Sequence, residues 1–244
     1  MQKFQREIPG GRAEGRVDAR FQPVADAFEK NFSDYDEVGA SVCITIGGET
    51  VVDLWGGRMK RDGEAPWNAD TVSTVFSCTK GATALCAHIL IDRGKLDLDA
   101  KVSLYWPEFA QNGKENVTVR MLLDHSAGVP VLRAPLPDKA VCDWDLMCGR
   151  LAAEAPFWQP GLRHGYHALT MGWTVGEVVR RVSGKSLGRF FQDEVARPLG
   201  LDFWIGTPES VEPRISPISQ LPLSKDLPLT PLAEMALADR ASIP

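Results

Sequence analysis

The sequence predicts an α/β protein of the α+β type, its strands gathered towards the amino terminus and helices filling most of the remainder. Two β-rich runs, residues 38–46 (VGASVCITI) and 50–55 (TVVDLW), flank Gly47-Gly48-Glu49. A short glycine-containing connection between such runs signals an antiparallel hairpin. Downstream, apolar residues return at helical spacing in one segment after another, bounded by Gly or Pro. A chain of 244 residues, 44% apolar and 24% charged, is long enough to bury a substantial core.

The elements follow in order. Val17, Phe21, Val24, Ala25, Phe28 and Phe32 recur at helical spacing, so an amphipathic helix is expected over residues 17–32. After the hairpin a polar loop runs to Asp70. Residues 71–76 (TVSTVF) are β-branched and extended in character. Residues 82–91 (ATALCAHILI) are apolar almost all round, the pattern of a helix buried in an interior, and the helix stops near Gly94. Residues 117–125 form a short helix with Gly128 beyond its end. Further helices are expected over 144–155, within 162–182 before Gly184, and over 187–196, the last stopped by Pro198.

The texture then changes. Seven of the 17 prolines fall between Pro208 and Pro244, and residues 210–229 read as a meandering connection. Thr230-Pro231 opens a last short helix, with Pro at its first position. Residues 1–209 thus read as one domain, and 210–244 as a Pro-rich connection with a short helix.

A net charge of −5 argues against nucleic acid or an anionic membrane surface as partner. No apolar run approaches membrane-spanning length. The amino-terminal stretch MQKFQREIPGGRAEGRVDARF has no apolar core of the kind a signal peptide needs, so a cytoplasmic location is expected. Cys43, Cys78, Cys86, Cys142 and Cys148 are odd in number and show no C-x-x-C pair. They read as thiols in a reducing compartment.

The chemistry concentrates at Ser77-Cys78-Thr79-Lys80. A serine and a lysine three residues apart share one helix face. Ser77 falls near the start of the 82–91 helix, where free N–H groups and the positive end of the dipole can receive an oxyanion. A serine hydroxyl needs a neighbour to take its proton, and a lysine in a water-poor site can take part in that transfer. A helix N-cap serine followed by a solvated lysine has the same spacing.

Tyr166 lies in a turn-rich approach to a helix, Trp158-Gln159-Pro160-Gly161-Leu162-Arg163-His164-Gly165-Tyr166-His167-Ala168, where a side chain can be aimed into a cleft. A phenol beside an ammonium ionises more easily; the alternative is a half-buried tyrosine bonded to backbone. Of the four histidines, His88 reads as a core residue of the apolar helix. His125 ends a short helix, where an imidazolium suits the dipole. His164 and His167 flank Tyr166 and can line a pocket. None of them pairs with Asp or Glu in a metal-ligand pattern, and no G-x-S-x-G is present.

Taken in order, Phe76-Ser77-Cys78-Thr79-Lys80-Gly81, Leu122-Leu123-Asp124-His125-Ser126-Ala127-Gly128-Val129-Pro130 and the Trp158-Gln159-Pro160-Gly161 turn leading to Tyr166 resemble the serine β-lactamase-related superfamily. Within it the chain is most similar to the class C-like branch that includes the family VIII carboxylesterases. Residues 172–181 (GWTVGEVVRR) and 198–202 (PLGLD) match that esterase-like branch as well. The resemblance covers residues 17–209.

It implies a β-lactamase/transpeptidase-like fold: an antiparallel sheet packed by helices, a helical lobe, and a cleft between them. It also implies roles. Ser77 would be the acylated nucleophile, Lys80 its partner and Tyr166 the general base, with the Ser77 N–H giving half of an oxyanion hole. The segment around His125 would be a tight structural loop under the site. No cofactor is implied.

Two departures refine the expectation. The class C pattern Tyr-x-Asn has Ala168 in third place, which favours a simple ester over a lactam. The family's third motif, Lys/His-Thr/Ser-Gly or Trp-x-Gly on a later strand, does not follow Tyr166. The chain is therefore expected to lack its C-terminal strands and to be weakly active by itself. The expected reaction is hydrolysis of small carboxylic esters through an acyl-serine, with a small-molecule ester as partner. The alternatives are a β-lactamase or D-Ala-D-Ala peptidase, and a catalytically silent binding or scaffold protein.

Overall fold

A computed structural model describes residues 1–218 of the chain. Its elements are β1 (Gln2–Ile8), β2 (Gly11–Val17), α1 (Gln22–Asp34), β3 (Gly39–Ile46), β4 (Glu49–Gly57), β5 (Val72–Ser73), α2 (Cys78–Asp92), α3 (Val119–Leu123), α4 (Trp144–Ala153), α5 (Thr170–Ser183), α6 (Leu187–Phe191), α7 (Arg197–Leu199) and β6 (Ile215–Ser216). They fall into two compact units. One comprises Met1–Thr74 with the described residues from Thr207, the other Val75–Gly206.

The first unit is a four-stranded antiparallel sheet in the order β1-β2-β4-β3, packed by α1. The expected hairpin is there as β3 and β4, with Ile46 opposite Glu49. Alternation along the strands sends Phe4, Ala13, Val17, Val52 and Leu54 into a core shared with Ala25, Phe28 and Phe32 of α1. β1 and β2 were not expected. They join through Pro9-Gly10, with Gly10 at φ 83, and β2 pairs with β4. Their exposed face is built from Lys3, Gln5, Glu7, Arg12 and Arg16, and that charge hid the alternation. The expected helix over 17–32 is corrected accordingly: Val17 closes β2, and α1 begins at Gln22. Gly15 permits the β2–β4 pairing, since a Cβ there would lie 2.0 Å from the Asp53 carbonyl oxygen.

The described part of the 210–229 connection is more ordered than expected. Residues Glu209–Arg214 form a 3₁₀ helix, and β6 pairs in parallel with β5. Arg214 donates to the Asp70 carbonyl (2.9 Å) and Ser216 Oγ to the Met59 carbonyl (2.6 Å). Tertiary partners impose order that local periodicity does not signal. The helix expected from Thr230-Pro231 lies outside the described residues.

The second unit is helical around Cys86, Leu90, Trp106, Phe109, Leu122, Leu151, Val175, Val178, Val179, Phe190 and Phe191. α2 buries only one face, through Thr83, Cys86, Ala87 and Leu90. Leu85 and His88 are exposed, so His88 is not the core residue expected. α4 ends at Ala153, before Pro156, because a proline disfavours helical backbone in the residue preceding it. The 187–196 helix does not stop at Pro198. It passes through a π-turn (Gln192–Ala196) into α7, whose first turn tolerates a proline without an N–H, and ends at the left-handed Gly200.

Glu177 of α5 is wholly buried, and its carboxylate accepts from Trp144 Nε1 (2.8 Å), Arg180 Nε (2.7 Å) and Arg181 Nε (2.7 Å). Burial pushes this carboxyl up, but the donors from Arg180, Trp144 and Arg181 outweigh it and hold it at about 2. Removing one partner of a buried pair strands the other. Here Arg180 and Arg181 also reach Asp145 and Glu108, which softens the loss. Glu177→Ala is therefore expected to lower the unfolding free energy by about 3 kcal/mol, the low end for a buried pair. Denaturant titration checks this, and a loss below about 1 kcal/mol would reduce the cluster to the worth of a surface pair. The contribution is present above the ordinary 4.5 and is lost as pH falls through about 2.

Candidate active site

Phe76 lies in the left-handed region at φ 44, which a bulky residue adopts only at a cost. The turn it makes places Ser77 at the N-cap of α2. Backbone bonds fix this start: Cys78 N–H to Val75 O (3.1 Å), Thr79 N–H to Phe76 O (3.1 Å) and Lys80 N–H to Ser77 O (3.0 Å). The Ser77 hydroxyl does not cap the helix. It accepts from Lys80 Nζ at 3.2 Å and is hydrogen-bonded to the Tyr166 hydroxyl at 2.6 Å. The Ser77 N–H has no acceptor among the described residues.

Lys80 is half-buried rather than solvated, and its ammonium also donates to the Ala168 carbonyl at 2.6 Å. The same Nζ lies 4.7 Å from the centre of the Tyr166 ring. The Ser77 hydroxyl first, and the Lys80 ammonium second, hold the Tyr166 phenol below its ordinary value. Tyr166 remains 56% exposed, open to a reactant from solvent.

Two loops present Tyr166. Gly161 N–H donates to Ser126 O (3.0 Å), Gly165 N–H to His125 O (3.2 Å) and Phe157 N–H to Gly128 O (2.7 Å), clipping 157–165 onto 125–128. Gly165 packs on the Trp158 ring so closely that a Cβ would come within 2.4 Å of it. His167 does not line a pocket. It is buried, accepts the Val129 N–H on Nε2 (3.0 Å) and bonds the Gly165 carbonyl through Nδ1 (2.6 Å). A carbonyl only accepts, so Nδ1 carries the proton. His164 is exposed, its Nδ1 2.8 Å from the Asp124 carbonyl.

His125 departs from expectation. Burial first, and Lys80 second, push its imidazole below its ordinary value, and its Nδ1 accepts the His167 N–H (3.2 Å), so it is no imidazolium capping a helix. Ala168 also contributes more than its side chain suggests, through a carbonyl that grips Lys80. Any residue supplies a carbonyl, so no sequence signal marks it. All these groups belong to the Val75–Gly206 unit.

The arrangement can activate a hydroxyl: Ser77 Oγ touches a phenol inclined to ionise and an ammonium that can stabilise the phenolate. The comparisons agree with the motifs. The family model described as Beta-lactamase matches residues 24–237. The esterase/beta-lactamase LipL of Mycobacterium tuberculosis is 40% identical over 205 residues, covering 84% of this chain and 47% of that protein. The crystal structure of a family VIII carboxylesterase superposes with a TM-score of 0.79 at 45% identity, over 84% of this chain and 56% of the other. A penicillin-binding protein homologue from Caulobacter crescentus gives 0.83 at 39% identity, over 95% and 63%. The chain spans about half the length of the curated relatives it matches. By family model, sequence identity and fold together, this chain belongs to the beta-lactamase family.

Proposed function

We propose that the protein is a serine hydrolase that cleaves small carboxylic esters through an acyl-serine intermediate. The observation that carries this is the 2.6 Å contact between Tyr166 and Ser77 Oγ, with Lys80 bonded to the same oxygen. Tyr166, as phenolate, takes the Ser77 proton while Oγ adds to the ester carbonyl. The carbonyl oxygen gains the negative charge, which the Ser77 N–H at the start of α2 receives. Collapse expels the alcohol, which recovers the proton from Tyr166 and leaves the acyl group on Ser77. Water, deprotonated by the same phenolate, then attacks the acyl-serine, and Ser77 regains its proton as the acid leaves. Lys80, anchored by Ala168, keeps the phenol–phenolate exchange within reach.

Ester as substrate is supported by Ala168, which cannot offer the amide that Tyr-x-Asn would give a lactam side chain. The names of similar proteins, an esterase/beta-lactamase and a family VIII carboxylesterase, support the same choice. A cytoplasmic location belongs to the proposal too. It is supported by five free cysteines. Among the described residues no helix is long and apolar enough to cross a membrane.

The expected result is turnover of short p-nitrophenyl esters with a kcat/KM at least about 100-fold above that for a chromogenic cephalosporin. Both are measured on the full natural chain. Equal or faster lactam hydrolysis would establish the β-lactamase alternative, and turnover of neither substrate would favour a silent scaffold.

A further inference from the structure

His125 makes three contacts that bracket Tyr166. Its carbonyl accepts the Gly165 N–H (3.2 Å), its Nδ1 accepts the His167 N–H (3.2 Å), and its ring centre lies 5.1 Å from that of Tyr166, inclined at 60°. The residue before Tyr166, the residue after it and the phenol ring are thus all held by one side chain and its backbone. His125 itself is set at φ 66 by the turn in which Ser126 N–H and Oγ bond the Asp124 carboxylate (3.0 and 2.6 Å). The centre of its ring lies 5.6 Å from that of His167.

We propose that His125 is a positioning residue for Tyr166, a neutral imidazole whose Nδ1 accepts the His167 N–H while its carbonyl holds Gly165, and whose protonation releases the phenol from Ser77. The inference rests on the acyl-transfer reading above. An imidazole accepting at Nδ1 carries its proton on Nε2. Adding a second proton turns the acceptor into a donor that confronts the His167 N–H, and the brace opens. The surrounding charges set where this occurs. Burial opposes protonation most, Lys80 of α2 opposes it next, Asp124 favours it, and His164 adds a smaller opposition. Tyr166 adds no charge as a phenol and favours protonation of His125 as a phenolate, and His167 is kept neutral by burial and by the obligate donor at its Nε2. Beyond the limb that the Tyr166 phenol itself sets, activity therefore falls by a further step as pH drops through the depressed value of His125.

The test uses the full natural chain and a p-nitrophenyl ester. Asn tolerates the left-handed backbone, keeps an acceptor near the Nδ1 position and cannot be protonated. His125→Asn is expected to lose the His125 step of the acid limb of the kcat profile and to keep the part that the Tyr166 phenol sets. Its kcat falls about tenfold for want of the ring, and KM changes by less than about twofold. Nitrogen NMR of the wild-type ring, which needs no turnover, should show the Nε2–H tautomer and a midpoint coinciding with that step. An acid limb unchanged in a folded His125→Asn, or an Nδ1–H tautomer, overturns the inference. Should His125→Asn fail to fold, the wild-type tautomer and midpoint decide alone. Full ester turnover by Ser77→Ala would instead refute the acyl-serine reading and leave the NMR result standing.

Discussion

Ser77→Ala is expected to abolish covalent labelling by a fluorophosphonate and to lower ester turnover by about 10⁴-fold or more. The reason is local. Ser77 Oγ touches both Tyr166 and Lys80, and alanine leaves that pair with no oxygen to activate. The change should cost little stability, because the hydroxyl does not cap α2. Intact mass and peptide mapping read the labelling, and thermal unfolding reads the fold. A label that persists in Ser77→Ala, or maps to another residue, removes Ser77 from the chemistry.

The second large effect belongs to Lys80 and Tyr166 together. Lys80→Ala and Tyr166→Phe should each lower kcat by about 10²–10⁴-fold, the range for a positioned proton-transfer group. The double change should cost little more than either alone. Groups acting as one unit are non-additive, because the first substitution already disables the second. Here the phenol is held below its ordinary value by Ser77 and Lys80, so removing Lys80 raises it and shifts the active range upward in pH. Multiplicative losses in the double-mutant cycle would mean that the two side chains work independently. Near-normal turnover by Tyr166→Phe would leave the proton with no acceptor and end the tyrosine's part in the scheme.

The elements differ in how openly the sequence declares them. The β3–β4 hairpin is legible because two β-rich runs flank the short connection Gly47-Gly48-Glu49. α5 is legible for a similar reason, with apolar spacing that ends at the left-handed Gly184. β1 and β2 carry charge on the solvent face, so their burial shows only once β4 supplies a partner. No local pattern marks Glu177 as buried; folding brings Trp144, 33 residues away, onto its carboxylate.

The candidate site divides along the same line. Sequence by itself determined the family resemblance, and it determined that Ser77 and Lys80 share a helix face, since a separation of three residues fixes that geometry wherever the helix lies. It also singled out Tyr166, from its turn-rich approach to a helix and as one member of a motif. Tertiary structure alone decided that Tyr166 reaches Ser77 across 89 residues, that Ala168 holds Lys80 through its backbone, and that burial and Lys80 push the His125 imidazole down. The physical reason is range. Helical periodicity and turn chemistry act between neighbours in the chain, whereas a carbonyl's aim and an imidazole's charge depend on burial and on which distant groups arrive beside it.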